Sequence, residues 1–280
     1  MSSLATRFTN ASALMSVHQP LPVEDIRRVA PSIFAVGAHE SRSDRYTYIP
    51  TIELLEGLQR NGFAVFGVAQ ARTRKDGHRE FTKHMVRLRR EQALRPNDGD
   101  AVTDVILVNS HNGASSCQVL AGAFRFVCHN GLILGEEAED IRVPHRGDVV
   151  GRVIEGTCEV ISRDRERLEH IDAMRGLRLG RDEQQVFAEA ALALRWESEQ
   201  APVQPEQLLR PRRQEDTDHS LWTTFNVAQE NLIRGELHGR SPVNPRKRVT
   251  TRPVNGIDRG IGLNRALWLL AQKMRELKGS

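Results

Sequence analysis

Apolar positions recur along this chain with two periods, and the change from one to the other divides it. After Pro50, Thr51 is placed to cap a helix in which Ile52, Leu55 and Leu58 repeat at helical spacing, and Asn61-Gly62 supplies a left-handed stop. Phe63 to Arg72 then reads as a strand, Arg74 to Gly77 as a hairpin connection and Arg79 to Arg89 as the antiparallel partner strand. A turn around Pro96 to Asp100 leads into Val102 to Asn109, whose Val-Thr-Asp-Val-Ile-Leu-Val run predicts a mostly buried strand, and Asn112-Gly113 turns the chain into another from Cys117 to Cys128. A helix followed by about four consecutive strands implies an antiparallel meander.

Beyond Ile141 the pattern changes. Val149 to Ser162 alternates weakly, whereas Arg163 to Met174 and Asp182 to Glu199 carry helical periods. Pro202 to Arg213 forms a connection, and Leu221, Trp222, Phe225, Ala228, Leu232 and Ile233 share one face of a strong helix. A long loop, Gly235 to Gly262, precedes a final helix striped by Leu263, Leu267, Leu270, Met274 and Leu277. The expected fold class is α+β, a helix followed by an antiparallel β-meander with a mainly helical C-terminal half. Residues 1–45 show little periodicity and several prolines, so they are expected to form a mobile arm with one short helix near Val23 to Val29, wrapping or linking subunits of a homo-oligomer. Residues 46–162 form the α+β core and 163–280 the helical region.

Composition narrows the setting. A chain of 280 residues buries a sizeable core without staples. No apolar run reaches the roughly 18 residues of a membrane span, and the first 20 residues lack the cation cluster and apolar core of a signal peptide. Cys117, Cys128 and Cys158 form no CxxC pair, and their odd number argues for reduced thiols. A cytoplasmic protein is expected. The net charge of +4 favours polyanionic partners, and where the charge sits matters more than its sum.

The candidate chemistry begins with a doubled tripeptide, His-Asn-Gly, at His111 to Gly113 and His129 to Gly131, expected in two turns after adjacent strands. Asn-Gly is also the favoured hairpin dipeptide, so both copies are equally explained as corners. As a ligand site, His111, His129, Asn109, Asn112 and Asn130 would supply neutral donors and acceptors, with His145 nearby. His111, His129 and Asn109 are the candidate catalytic residues of a hydrolase or nuclease. A zinc site from Cys117, Cys128, His129, His145 and Cys158 lacks the tight ligand pair such sites show, so no metal and no cofactor is expected. No GxSxG elbow, HExxH helix or phosphate-binding glycine loop is present.

Two basic segments point elsewhere. Strand alternation puts Lys83, Arg87 and Arg89 on one side with Phe81 and Met85, and Val86 and Leu88 on the other, so one face is expected to be cationic. Arg72, Arg74 and Lys75 adjoin it at the hairpin, with Phe81 available to stack on a base. The second segment, residues 239–255, holds Arg240, Arg246, Lys247, Arg248 and Arg252, three prolines and no acidic residue.

Several segments together resemble the phage- and plasmid-like protein family, a domain of unknown function found on prophages, plasmids and integrative elements. They are Tyr46 to Thr51, Asn61 to Phe63, Lys83 to Arg89, Asn109 to Gly113, Phe124 to Gly131 and Thr250 to Asn264, within a likeness running from about His39 through the last helix. The resemblance implies relatives and brings no catalytic residue. A looser architectural likeness is to single-strand annealing proteins, which lay single-stranded DNA along a positively charged groove. The leading expectation is a nucleic-acid-binding accessory or recombination protein, with single-stranded DNA as partner. The alternatives are the hydrolase or nuclease above and an interaction protein that blocks a host defence factor.

Overall fold

The structure, a computed structural model, describes residues 11–16, 19–43, 46–75, 77–90, 101–125, 130–133, 141–143, 149–254 and 256–279. The chain divides into two compact units, Met1–Asp164 with Asn255–Ile257, and Arg165–Val254 with Asp258–Ser280, and each is considered by itself. The fold is mixed α+β, with an antiparallel sheet in the first unit and a mainly helical C-terminal half.

The sheet holds seven described strands: β1 (Ala11–Met15), β2 (Phe63–Ala71), β3 (His84–Arg90), β4 (Ala101–Asn109), β5 (Cys117–Arg125), β6 (Asn130–Ile133) and β7 (Ile141–Val143). They run in the order β1 to β6, each antiparallel to the next, and β7 also pairs with β5. The meander expected from Phe63 onward is present and extends further at both ends. Among the described residues of this unit the α-helices are α1 (Val23–Val29), α2 (Thr51–Arg60) and α3 (Val149–Ser162).

Three local expectations need correction. The described part of residues 1–45 is no free arm: β1 pairs with β2, and Ile26, Ala30 and Ile33 are buried. Its periodicity is weak because the packed pieces are short, not because the chain stays outside the core. The stretch from Val149 to Ser162 is a helix, α3, and its buried positions Val153, Gly156, Thr157 and Val160 carry the 3–4 spacing that the β-branched residues obscured. Strand β3 begins only at His84, because Arg79–Phe81 forms a single 3₁₀ turn.

Leu54, Leu55 and Leu58 of α2 are buried at 0–3% exposure, each contributing roughly 1.5–3 kcal/mol. Asn61 ends the helix and Gly62, at φ 80°, supplies the left-handed residue expected there. Thr51 is the first helical residue and does not cap the helix; its side chain serves another purpose, described below.

The second unit contains α4 (Asp164–Gly176, from its second residue), α5 (Arg181–Ala193), α6 (Pro205–Leu208), α7 (Leu221–Arg234) and α8 (Ile257–Gly279, from its second residue). Ser220 caps α7, its Oγ accepting from Thr223 N at 3.1 Å. Nearly the whole circumference of α7 is buried, and two of its polar residues are held by strong partners: Arg213 donates to both oxygens of Glu230 at 2.7 and 2.8 Å, and Asn231 donates to the carbonyls of Leu208 and Arg210. The expected loop from Gly235 to Gly262 is shorter and more ordered than its sequence suggests. It contains a hairpin, β8 (His238–Arg240) with β9 (Arg248–Thr250), and the last helix starts at Ile257.

Candidate functional site

The register between β3 and β4 sets His84 directly opposite Asn109 on the face of the sheet that α2 covers. Thr51, at the start of α2, points down onto that pair. His84 Nε2 lies 2.9 Å from Thr51 Oγ1, Asn109 Nδ2 donates to the same oxygen at 3.0 Å and to the Ile49 carbonyl at 3.1 Å, and His111 Nε2 lies 3.4 Å from it. His84 Nδ1 lies 2.8 Å from Ser32 Oγ, which donates to Gln70 Oε1 at 2.7 Å, and Gln70 Nε2 donates to the Arg79 carbonyl at 2.7 Å. Ser32, Thr51, His84, Asn109 and His111 are all completely buried.

The partners of His84 fix where it carries its proton, and the contacts of His111 follow from that. Ser32 spends its hydroxyl proton on Gln70, and the Thr82 carbonyl at 3.2 Å can only accept, so His84 must carry its proton on Nδ1. His84 Nε2 is therefore an acceptor and Thr51 donates to it. Thr51 then has only lone pairs left, so Asn109 and His111 Nε2 both donate to Thr51. His111 is left with a bare Nδ1 that is buried and has no hydrogen-bond partner. Burial lowers the pKa of His84 to about 3, aided by the neighbouring His111. Burial also lowers that of His111 to about 4, with the Ser32 backbone partly offsetting. Two neutral rings, 5.1 Å apart between centroids, occupy the core at neutral pH.

This arrangement redraws the expected histidine and asparagine cluster. Asn109 and His111 are there, locked into structural hydrogen bonds, while His129, Cys128 and His145 lie outside the described residues. Gly113, at φ 76°, makes the first His-Asn-Gly a turn as expected, but Asn130 and Gly131 open strand β6. The partners that sequence reasoning missed are Ser32, Thr51, Gln70 and His84. Among the described residues no group of three or more His, Cys, Asp or Glu side chains could hold a metal. Cys117 is buried, with its pKa pushed up to about 12 by burial, and Cys158 is exposed.

The expected cationic sheet face is overturned at two of its residues. Arg87 and Arg89 are buried at 4% and 1% exposure, because β3 is an interior strand and Asp104 of the neighbouring β4 takes both guanidinium groups inside the sheet. Arg89 Nε donates to Asp104 Oδ1 at 2.8 Å and Arg87 Nη1 to Oδ2 at 3.3 Å, while the Arg89 guanidinium lies 4.5 Å from the Phe66 ring centroid. Burial lowers the pKa of Arg87, with Asp104 opposing. Phe81 is half-buried with its ring edge-on to His39, so it is not presented for stacking. Arg72, Arg74 and Lys75 are exposed and Lys83 half-buried. Arg72 and Arg79 line a cavity of about 230 Å³ with Val29, Gln70 and Thr73.

The five cations of the second basic segment, Arg240, Arg246, Lys247, Arg248 and Arg252, are all exposed. Register pairs His238 with Thr250, Gly239 with Val249 and Arg240 with Arg248. Alternation therefore splits the hairpin into two faces. Gly239 belongs to the packed face: a Cβ there would stand 1.8 Å from the Pro202 carbonyl oxygen, and Arg240 N donates to that oxygen at 2.8 Å. The other face carries His238, Thr250, Arg240 and Arg248, all exposed, and Arg246, Lys247 and Arg252 are exposed as well. Gly235, at φ 69°, allows the chain to leave α7 so closely that a Cβ would meet the Arg252 carbonyl oxygen at 2.6 Å. Hydrogen bonds between Glu236 N and Thr251 O and between Thr251 N and Leu237 O continue the ladder below the strands. The cations thus sit on a fixed ribbon.

Comparison with known proteins places this architecture. The family described as "Domain of unknown function (DUF932)" matches residues 38–268. The chain belongs to the DUF932 family. It is 49% identical over 274 residues to each of two proteins of Escherichia coli (strain K12), UPF0380 protein YafZ and UPF0380 protein YfjQ, with 98% of both chains covered in each case. These relatives bear out the sequence resemblance to a family typical of prophages. No solved structure matches the chain, and the likeness to annealing proteins is left as an expectation of the sequence.

Proposed function

We propose that this DUF932 protein is a cytoplasmic nucleic-acid-binding accessory protein whose phosphate-contacting element is the hairpin β8–β9. The observation that carries the reading is the directly opposed pair Arg240 and Arg248 on the exposed face of a ribbon whose 239–255 segment contains no acidic residue. Like charges facing each other across an antiparallel pair repel, and a bound polyanion converts that cost into binding. The fixed backbone of the ribbon means little ordering cost on binding. Single-stranded DNA remains the preferred ligand; Arg72, Arg74 and Lys75, exposed on the first unit, are a separate candidate phosphate-contacting set. Arg87 and Arg89 leave the proposed interface because they hold Asp104 inside the sheet.

Anisotropy titrations with labelled single- and double-stranded oligonucleotides at two salt concentrations test the reading. Wild type should bind tightly at low salt and lose affinity steeply as salt rises. Combined substitution of Arg246, Lys247 and Arg248 by Gln should weaken binding and lower the magnitude of the log–log salt slope by about 2. Absence of binding by wild type at low salt, or a triple variant that binds like wild type, sinks the proposal.

A further inference from the structure

The connection between β8 and β9, residues 241–247, carries an apolar tip on a cationic stem. Val243 is 94% exposed, which is unusual for a β-branched residue in an ordered segment, and exposed Pro242 and Pro245 flank it at close range. The tip is not loose. Ser241 N donates to the Lys247 carbonyl at 2.9 Å, Lys247 N to the Asn244 carbonyl at 2.9 Å and Arg246 N to Asn244 Oδ1 at 3.2 Å, while Arg240 Nη1 reaches the Pro245 carbonyl at 3.0 Å. An apolar group is therefore held outward by a closed loop, with Arg240, Arg246, Lys247 and Arg248 behind it. Nothing within this ribbon covers it.

Resting on the nucleic-acid reading above, we infer that Val243 with its flanking prolines is a wedge that enters a base stack once the arginines and Lys247 hold the phosphates on either side. A rigid apolar tip on a basic two-stranded ribbon has the two parts such a device needs, cations that fix the backbone and an aliphatic surface that replaces stacking contacts. The wedge also accounts for the substrate class. Parting two bases costs less in a single strand, or at a mismatch, than in a fully paired duplex, so the tip should generate a preference for unpaired DNA that phosphate contacts alone lack.

The test uses the full chain and oligonucleotides containing 2-aminopurine, whose emission rises when it is unstacked, with binding followed separately by anisotropy. Saturation of a single strand by wild type should raise the emission. Val243→Ser should keep the salt slope, abolish the rise and narrow the single-strand preference over paired duplex by about tenfold. Because Val243 touches nothing in the core, the variant should fold normally, and Pro242→Ser provides a second change at the same tip. Binding by wild type without any change in emission overturns the wedge and leaves the phosphate reading standing, as does a Val243→Ser protein indistinguishable from wild type in both signals. Failure of wild type to bind at all overturns both.

Discussion

Acidification perturbs the buried histidine pair in a way whose size follows from the two depressed pKa values. The unfolded rings titrate near 6.5, whereas in the folded chain His111 is held at about 4 and His84 at about 3. Above about pH 7.5 neither state binds a proton on these rings, and they give no pH dependence. Between about pH 6.5 and pH 4 the unfolded chain binds two protons that the folded chain refuses, so stability falls as pH falls, by up to about 3 kcal/mol per pH unit. Going from about pH 7 to about pH 5.5 should therefore cost about 2 kcal/mol. Below pH 4 the slope relaxes as His111 accepts its proton on the bare Nδ1, which breaks no hydrogen bond, and His84 follows only at the expense of its bond from Thr51. In full, the depressions correspond to roughly 3 kcal/mol for His111 and roughly 5 kcal/mol for His84, and they do not add because part of the second is repulsion from the first.

Urea unfolding followed by far-ultraviolet circular dichroism across this range measures the slope. Tryptophan fluorescence is the wrong probe, since Trp196, Trp222 and Trp268 all lie in the second unit. His111→Gln removes one of the two titrating rings and should halve the slope. Long-range ¹⁵N correlation spectra add a direct reading of the protons: His84 should appear as the Nδ1–H tautomer and His111 as Nε2–H. Finding His84 protonated on Nε2, or either ring titrating near 6.5, refutes the proton order deduced from Ser32, Gln70 and Thr51.

Other perturbations address separate parts of the molecule. Asp104→Asn removes the carboxylate that accepts from both Arg87 and Arg89 inside the sheet and should destabilise the first unit by about 3–5 kcal/mol in urea unfolding, whereas an exposed pair would cost under about 1 kcal/mol. Gly239→Ala forces a methyl group against the Pro202 carbonyl and should cost about 1–3 kcal/mol of ribbon docking, seen as faster amide exchange at Arg240 and weaker oligonucleotide binding. Glu230→Gln takes from Arg213 one of its two carboxylate partners, Asp216 being the other, and should lower the thermal midpoint of the tryptophan-monitored transition. Ser220→Ala removes the cap of α7 and should cost about 1 kcal/mol on the same signal.

Which of these features the sequence exposes depends on whether they live in local spacing or in register. Helix α2, strands β2 and β4 and the buried stripe of α7 follow from periodicity, and each appears where the apolar residues put it. The arginines of β3 show where periodicity ends. Alternation correctly groups Arg87 with Arg89 on one face, yet whether that face meets water depends on the pairing of β3 with β4, which brings Asp104 within hydrogen-bond reach of both and is written in no local pattern. The histidine network has the same origin, since Ser32, Thr51, His84 and Asn109 come from four separate segments and meet only through the fold. Thr51 looks like a helix cap in sequence because a threonine after proline at the start of an apolar period is what a cap looks like. In the fold the same hydroxyl is buried between two histidines and an asparagine, where it donates to one ring and accepts from the others in place of capping the helix. The ribbon β8–β9 is the opposite case. A run of cations without one acidic residue cannot be neutralised from within, so it must stay at the surface, and that much is legible from residues 239–255 alone. What the structure adds is the opposition of Arg240 to Arg248 and the outward Val243, and these turn a basic stretch into a surface with a definite shape.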